Sequence, residues 1–362
     1  MSKYVLDGQV YVQRKTGIYR YCNEILKELD KIIKPDEIEL IVPKEAVFDD
    51  DFQNIKVVRF GRGNGIVWAQ TYLPLYCLKH RVVPISFYNT TPILRPGIVV
   101  IHDVGYKAWE KGYDSLYGKL SSIWHRFNYW YISKMKYPII TVSNFSKSEI
   151  CKYYNVSSNR ITVISNGWQH YNTITEDNSV FDVFKDINPG NYFFSIGSLE
   201  NRKNIKWITE VARRNPDSIF VITGESVRNA KVELGVDALA NVILTGYLED
   251  SRAKALMSHA KAFVFPSLYE GFGIPPMEAL STGVKVVCAK ASSLPEIYED
   301  AVYYIDPYDY DVCLSRLLSD DIIKENADRV LRKYDWKMSA IAFRDFLKNR
   351  DHNTIYMKWK DS

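Results

Sequence analysis

The sequence has no apolar run approaching the roughly 18 to 20 residues that cross a bilayer, so no membrane-spanning helix is expected. Its first residues, MSKYVLDGQV, lack the apolar core of a signal peptide and read directly into a strand. Cysteine is sparse: Cys22, Cys77, Cys151, Cys288 and Cys313 are scattered without metal-ligand spacing. An odd, dispersed set predicts reduced thiols and a cytoplasmic setting rather than a disulfide framework. There is no HExxH, no paired Cys-x-x-Cys and no Asp-x-Asp closing a strand, so no metal site is expected. Repeats and low-complexity tracts are missing as well, which excludes solenoids and biased tails.

What is present is a chain of 362 residues, 46% apolar and 25% charged, the balance of a soluble globular protein. That length suits two domains of roughly 170 residues each. Net charge is only +4, yet it is unevenly spread. Residues 52 to 170 hold 15 Lys and Arg against 4 Asp and Glu, a local excess of +11 that leaves −7 on the remainder. Such a segment is either a solvated basic face or the footprint of an anionic partner: nucleic acid, phosphate groups or an anionic membrane surface. Within it, KLSSIWHRFNYWYISKMKY (119–137) mixes Trp124, Phe127, Tyr129, Trp130 and Tyr131 with Lys119, Arg126, Lys134 and Lys136. At helical spacing the aromatics cover more than half the circumference, a pattern shared by core helices and by helices lying at a membrane interface. No outward basic helix or known module points to nucleic acid, so none is expected as a partner.

Short apolar runs alternate with helical periodicity for most of the length, which predicts α/β domains built on parallel sheets. YVLD (4–7), IELIV (38–42), IKVVRF (55–60), PISFY (84–88), GIVVIHD (97–103), PIITVS (138–143) and ITVIS (161–165) read as strands of a first half, residues 1–170. Between the first two, residues 17–32 place Ile18, Tyr21, Ile25 and Leu29 on one helix face. A polar, Asn/Asp-rich stretch at 171–190 reads as a linker. A second half, 191–335, begins afresh with YFFSIG (192–197), IFVIT (219–223), NVILTG (241–246), AFVFP (262–266), VKVVCA (284–289) and AVYYI (301–305). A helical tail follows from about Trp336 to Lys348. Two doubly wound units predict a cleft between them, with ligands at strand C-terminal ends.

Three places carry candidate chemistry. In SIGSLENRKNIKWI (195–208) a strand ends at Gly197, and Arg202, Lys203 and Asn204 read as opening a helix. A helix N-terminus with two cations suits a diphosphate, Arg binding it bidentately and Lys as a point charge. In YEGFGIPPMEAL (269–280), Glu270 and Glu278 flank a turn containing Gly271 and Gly273, and the adjacent prolines set a helix start at or near Pro276. The expected result is a Gly-lined anion nest, with carboxylates placed to accept hydrogen bonds from ribose or sugar hydroxyls. Gly17, at a strand-to-helix turn, leaves room for close backbone approach, and His102 ends a strand where it can cap the backbone or donate to a substrate. GRGNGI (61–66) mimics a dinucleotide fingerprint but has Ile66 at the third glycine position, so a flexible loop is the better reading. DPYDYD (306–311) reads as a loop and helix start.

Taken together, these motifs resemble the retaining glycosyltransferases of family 4, which have the GT-B fold. EGFGIPPME is similar to their E-x7-E signature, GSLENRKN to their G-x4-R-K-N diphosphate site, and TVSNFSKSEI and VISNG to their TVSxFSKxxI and VIPNG segments. LDGQ…TGIYRY resembles their opening, with Tyr19 in place of a usual glycine, while VIHDV and TGYLED match two further landmarks. The resemblance implies two Rossmann-like domains facing across a cleft, with residues 336–362 packing back on the N-terminal domain. It also implies a hexose donor, GDP- or UDP-linked, held without metal or other cofactor. Arg202 and Lys203 would take the diphosphate, Glu278 the ribose and Glu270 the sugar. The backbone of Phe272, Gly273 and Ile274 would contact sugar and phosphate. Gly246 and Tyr247 would lie near the base beyond Gly197, and Gly17 and His102 would close from the other half. The acceptor implied is a glycan or lipid-diphosphate-linked glycan of the surface-polysaccharide type, O-antigen or capsule, with mannose or a deoxyhexose as the favoured sugar. The protein would be cytoplasmic and peripheral on the inner face of the membrane. A nucleotide-sugar epimerase or phosphorylase, and a silent sugar-nucleotide-binding homologue, are the alternatives.

Overall fold

Short β-branched and aromatic runs with no room for a full helical turn set become strands, and each amphipathic stretch between them returns the chain for a parallel neighbour. The computed structural model describes residues 4–48, 51–63, 65–109, 116–135, 137–198, 200–224, 239–319 and 324–349. Residues 350–362 of the expected tail, and Lys136, lie outside the described residues. The chain divides into two units, residues 1–166 with 336–362, and residues 167–335.

In the first unit the order is β1 (Tyr4–Asp7), α1 (Gly17–Asp30), β2 (Glu39–Val42), β3 (Lys56–Arg59), α2 (Gly65–His80), β4 (Val83–Ser86) and β5 (Ile98–Val100). There follow α3 (Gly105–Ala108), α4 (Leu116–Met135), β6 (Ile139–Thr141), α5 (Asn144–Tyr154) and β7 (Ile161–Val163). The seven strands line up as β3-β2-β1-β4-β5-β6-β7 and pair in parallel throughout. The apolar face anticipated for α1 is the buried one, with Tyr21, Ile25 and Leu29 fully enclosed.

The second unit runs α6 (Val180–Val183), β8 (Tyr192–Ile196), α7 (Ile205–Arg214), β9 (Ile219–Thr223), β10 (Val242–Gly246), α8 (Asp250–Ser258) and β11 (Ala262–Phe265). It continues through α9 (Ile274–Thr282), β12 (Val286–Ala289), α10 (Leu294–Tyr298), β13 (Tyr303–Ile305), α11 (Leu314–Leu317) and α12 (Lys324–Lys333). Its six strands, β10-β9-β8-β11-β12-β13, are again all parallel. Both sheets reverse their winding once, between β1 and β4 in the first unit and between β8 and β11 in the second. At such a point successive connections leave in opposite directions, and a crevice opens at the strand C-terminal ends.

The stretch expected as a linker, 171–190, is instead part of the second unit, whose boundary falls at 166/167. Its polar composition conceals anchors: Tyr171, Val180 and Ile187 are buried, and Asp177 Oδ2 accepts from Arg252 Nε at 2.9 Å. The last helix, α13 (Trp336–Lys348), belongs to the first unit. Trp336 meets Tyr21 edge-on at 6.0 Å, Phe343 stacks on Phe87 at 5.8 Å, and Ser339 Oγ donates to the Ser165 carbonyl at 2.7 Å. Since Phe343 is fully enclosed, Phe343→Ala is expected to cost about 3–5 kcal/mol of first-unit stability. Denaturant unfolding checks this: the midpoint falls with its slope unchanged, whereas a wild-type midpoint would show that α13 adds nothing to that core.

Candidate active site

The strand β8 ends at Ile196, and Gly197 follows, its N–H donating to the Thr223 carbonyl at 3.0 Å. The Gly246 carbonyl accepts from Thr223 Oγ1 at 2.8 Å, so the ends of β8, β9 and β10 share one edge. Arg202 and Lys203 do not open α7, as the sequence suggested. They sit in a separate turn of 3-10 helix, Asn201–Lys203, and α7 starts only at Ile205 after Asn204 adopts the left-handed conformation (φ 54°). The physical reason is the helix dipole, which disfavours cations in a first turn; placing them ahead of the cap avoids that cost. Asn204 then rivets the turn in place, its Nδ2 donating to the Pro266 carbonyl at 3.2 Å and the Pro307 carbonyl at 2.9 Å.

Pro266 belongs to the loop after β11, so the cation turn and the carboxylate turn are laced together across the winding reversal. The Leu268 N–H donates to the Arg202 carbonyl at 2.7 Å, and Ser267 Oγ lies 3.1 Å from the same oxygen. At the centre, Glu270 Oε1 accepts from Lys203 Nζ at 2.6 Å, Ser267 Oγ at 2.7 Å and Arg202 at 3.4 Å. Burial alone would raise the Glu270 pKa, but Lys203 and Arg202 overcome it and hold the carboxyl below its usual range. Burial and the neighbouring Arg202 push Lys203 down from its usual value against the pull of Glu270. Arg202 is also gripped from outside by Glu200, 2.6 Å from its Nε. The Glu270 backbone is fixed at both ends, its N–H donating to Ser292 Oγ and its carbonyl accepting from Ser293 Oγ, each at 3.0 Å.

Beyond Glu270 the chain passes Phe272, buried edge-on against Tyr334 at 5.2 Å, and reaches Gly273 at φ 88°. A Cβ there would stand 2.7 Å from Leu294 Cδ2, so only glycine fits both the dihedral and the space. The Gly273 carbonyl accepts from the Tyr298 hydroxyl. The helix α9 begins at Ile274 rather than Pro276, with the prolines in its first turn, where a missing N–H costs nothing. Glu278 is consequently a little over one turn in, and buried. Sequence reading missed its partner: His170 Nε2 donates to Glu278 Oε1 at 2.8 Å. His170 lies in the short 3-10 segment Gln169–Thr173, pinned to the end of α12 by Trp168 Nε1 on the Leu331 carbonyl and Gln169 Nε2 on the Tyr334 carbonyl. An aromatic-rich WQHY inside a stretch otherwise polar was the available signal. Tyr247 is largely exposed at the same strand edge as Gly246.

Gly17 and His102 belong to the first unit. Gly17 is the exposed first residue of α1. His102 lies beyond β5, with its Nε2 on the Phe87 carbonyl at 2.9 Å and Tyr21 edge-on at 5.0 Å. A carbonyl only accepts, so Nε2 carries the proton and Nδ1 is left as an acceptor. Burial pushes the ring pKa down to about 4. The ring's one proton is thus spent on the Phe87 carbonyl, the backbone-capping arrangement, with Nδ1 as its acceptor atom. A folded pKa below the free value means the neutral ring persists as pH falls through 6.5 and charges only near 4. Long-range ¹H–¹⁵N NMR of the imidazoles checks it: the Nε2–H tautomer of His102 at pH 6 is expected, and titration near 6.5 would refute the assignment.

Residues 181–334 match the family model described as glycosyl transferases group 1. The O-antigen chain mannosyltransferase B of Escherichia coli is 32% identical over 192 residues, half of this chain and half of that protein's length. The O-antigen chain mannosyltransferase RfbU of Salmonella typhimurium is 26% identical over 320 residues, 81% of this chain and 84% of that one. Among solved structures, Anabaena HepE in complex with UDP and glucose superposes with a TM-score of 0.67 at 16% identity, covering 97% of this chain and 100% of that chain. Residues 181–334, with Arg202, Lys203, Glu270 and Glu278 among them, are thus similar to a group 1 glycosyl transferase domain, and the two parallel sheets have the GT-B fold of the solved glycosyltransferase structures they match.

Proposed function

We propose that the protein transfers a hexose, with mannose or a deoxyhexose favoured, from a GDP- or UDP-linked donor to a hydroxyl of a glycan or lipid-diphosphate-linked glycan. The transfer retains anomeric configuration, needs no metal, and serves surface-polysaccharide synthesis of the O-antigen or capsule type at the inner face of the membrane. The observation that carries this reading is the cluster of Lys203 and Arg202 on Glu270, built where the second sheet reverses its winding. The names of the two mannosyltransferase relatives support this sugar class and setting.

The chemistry follows from charge. As the bond between the anomeric carbon and the diphosphate oxygen breaks, negative charge grows on the leaving group and positive charge on the sugar. Two preorganised cations stabilise the developing anion without reorganising at the moment of reaction, the effect usually largest in such sites. Divalent metal would duplicate them. Glu270 acts twice. Its Oε1 keeps the cations in register, and Oε2, outside those three contacts, accepts from sugar hydroxyls. Glu278, oriented by His170, takes the ribose. With no second carboxylate placed as nucleophile among the described residues, retention proceeds by front-face attack, and the leaving phosphate takes the acceptor proton.

Screening nucleotide sugars for slow hydrolysis, then extending one acceptor and reading product mass and anomeric configuration, tests the reading. Arg202→Ala and Glu270→Ala should each lower kcat/KM by roughly 10²–10³ while the variants still melt cooperatively, and EDTA should leave wild-type turnover intact. Near-normal turnover in either variant would sink the residue roles, and loss of activity on careful chelation would sink the metal-free mechanism.

A further inference from the structure

Helix α4 has its faces the wrong way round for a helix in water. The residues it buries include Ser122, His125 and Asn128 beside Tyr129 and Ile132. Its exposed face carries Leu116 (77% accessible), Leu120 (60%), Ile123 (65%), Phe127 (41%) and Trp130 (51%). At about 100° per residue these five fall within an arc of about 80° and run straight along roughly 20 Å of the axis. The polar inner side is partly engaged by neighbours: Asn128 Oδ1 accepts the Thr91 N–H at 2.9 Å, and Ser122 Oγ donates to the Tyr106 carbonyl at 3.2 Å, while the buried His125 Nδ1 and Asn128 Nδ2 have no hydrogen-bond partner among the described residues. The helix is thus held by a mixed face, Tyr129 and Ile132 in the core beside its buried polar residues, and presents an apolar one. Leu94, also 77% accessible, lies in the segment that the Tyr131 hydroxyl ties to α4 through the Ile93 carbonyl at 2.7 Å.

We propose that this face of α4 docks in the interfacial layer of an anionic lipid bilayer, lying in the membrane plane. Charge selects the lipid. No Asp or Glu occurs between residues 115 and 148, while Lys119 is exposed beside the stripe and Lys134 at its C-terminal end. Their stems can follow the apolar surface and leave the ammonium groups among lipid phosphates. A second copy of the helix is a poorer occupant. The 4-3 spacing of the stripe would make it a coiled-coil seam with Lys134 inside it and Lys119 and Arg126 at its margin, with no carboxylate on α4 to meet them. Insertion across the membrane is excluded among the described residues, since no helix is long and apolar enough. Aromatic side chains at the stripe's end, Phe127 and Trp130 with ring centroids 5.9 Å apart, suit the headgroup boundary.

The inference deepens the proposed lipid-linked acceptor and rests on that reading for its purpose, but its test needs neither donor nor acceptor. The full chain is floated with vesicles of phosphatidylcholine, alone or with roughly 30 mol% phosphatidylglycerol, across rising salt. Binding is expected only to the anionic vesicles and is expected to weaken as salt rises. A variant carrying Leu120→Glu and Ile123→Glu should bind at least about tenfold more weakly, with an unchanged melting midpoint because both positions are exposed. Lys119→Gln with Lys134→Gln should lose binding to anionic vesicles more mildly. No flotation of the wild type at low salt, or full flotation of the double Glu variant, would overturn the proposal. So would a concentration-dependent dimer that the Glu variant dissolves while vesicles are ignored. Donor hydrolysis in vesicle-free buffer should be equal in wild type and Glu variant; its absence in both would count against the transferase reading and leave the vesicle result standing.

Discussion

Everything at the second sheet's edge depends on one oxygen, Glu270 Oε1. Two cations close together in a mostly enclosed loop repel each other, and each loses hydration. A carboxylate between them offsets both costs. Lys203, whose ammonium lies 5.3 Å from the Phe265 ring centroid, and Arg202 are held in one register by it. The pair is not a source of net stability in itself, since desolvation consumes much of what attraction returns. Its value is geometric. Removing either partner of such a pair typically costs about 3–5 kcal/mol, so the loop has a single acceptable arrangement, ready before any substrate arrives.

Why the cluster lies where it does follows from strand order. The chain leaves β8 toward β9 on one side and must return to β11 on the other. The loops after β8 and β11 are therefore neighbours with no crossover covering them. Asn204, Ser267 and Leu268 fill that gap with hydrogen bonds instead of apolar contacts. The left-handed Gly273 then turns the chain sharply enough that α9 points its N-terminus back at the same edge. Backbone conformation, winding and charge pairing are three descriptions of one local solution.

The alternation of strand and helix was legible because the parallel strands are buried on both faces and read as continuous apolar runs. The Glu270 and Glu278 turn was legible because its glycines and prolines have few other uses together. Three features were not. Arg202 and Lys203 were read as a helix start, since sequence cannot distinguish a first turn from a 3-10 turn placed just before a left-handed Asn cap. His170 was hidden because Asn and Asp around it signal a loop, while packing of Tyr171 and Val180 decides otherwise. For α4, periodicity shows that two faces differ but not which one is turned inward. Tertiary partners at Thr91 and Tyr106 settle the orientation in favour of the polar face.

The two units repeat one topology with opposite chemistry. At the first unit's winding reversal stands Asp7, wholly enclosed, its carboxyl pushed up to about 6 by burial and held by the N–H and side-chain amide of Gln9. Nearby in that unit His102 is kept neutral. Neither group offers a cation to a phosphate, whereas the second unit concentrates two. Positive charge in the first unit is distributed along its sequence, and part of it is structural. Arg160 spends its guanidinium on the carbonyls of Ile132, Ser133 and Tyr137, closing the C-terminal end of α4. Lys119 and Lys134, by contrast, are exposed along and at the end of an apolar stripe. A related winding has thus been given different charge arrangements: one copy compensates its charges at a strand edge, and the other leaves charges on a surface.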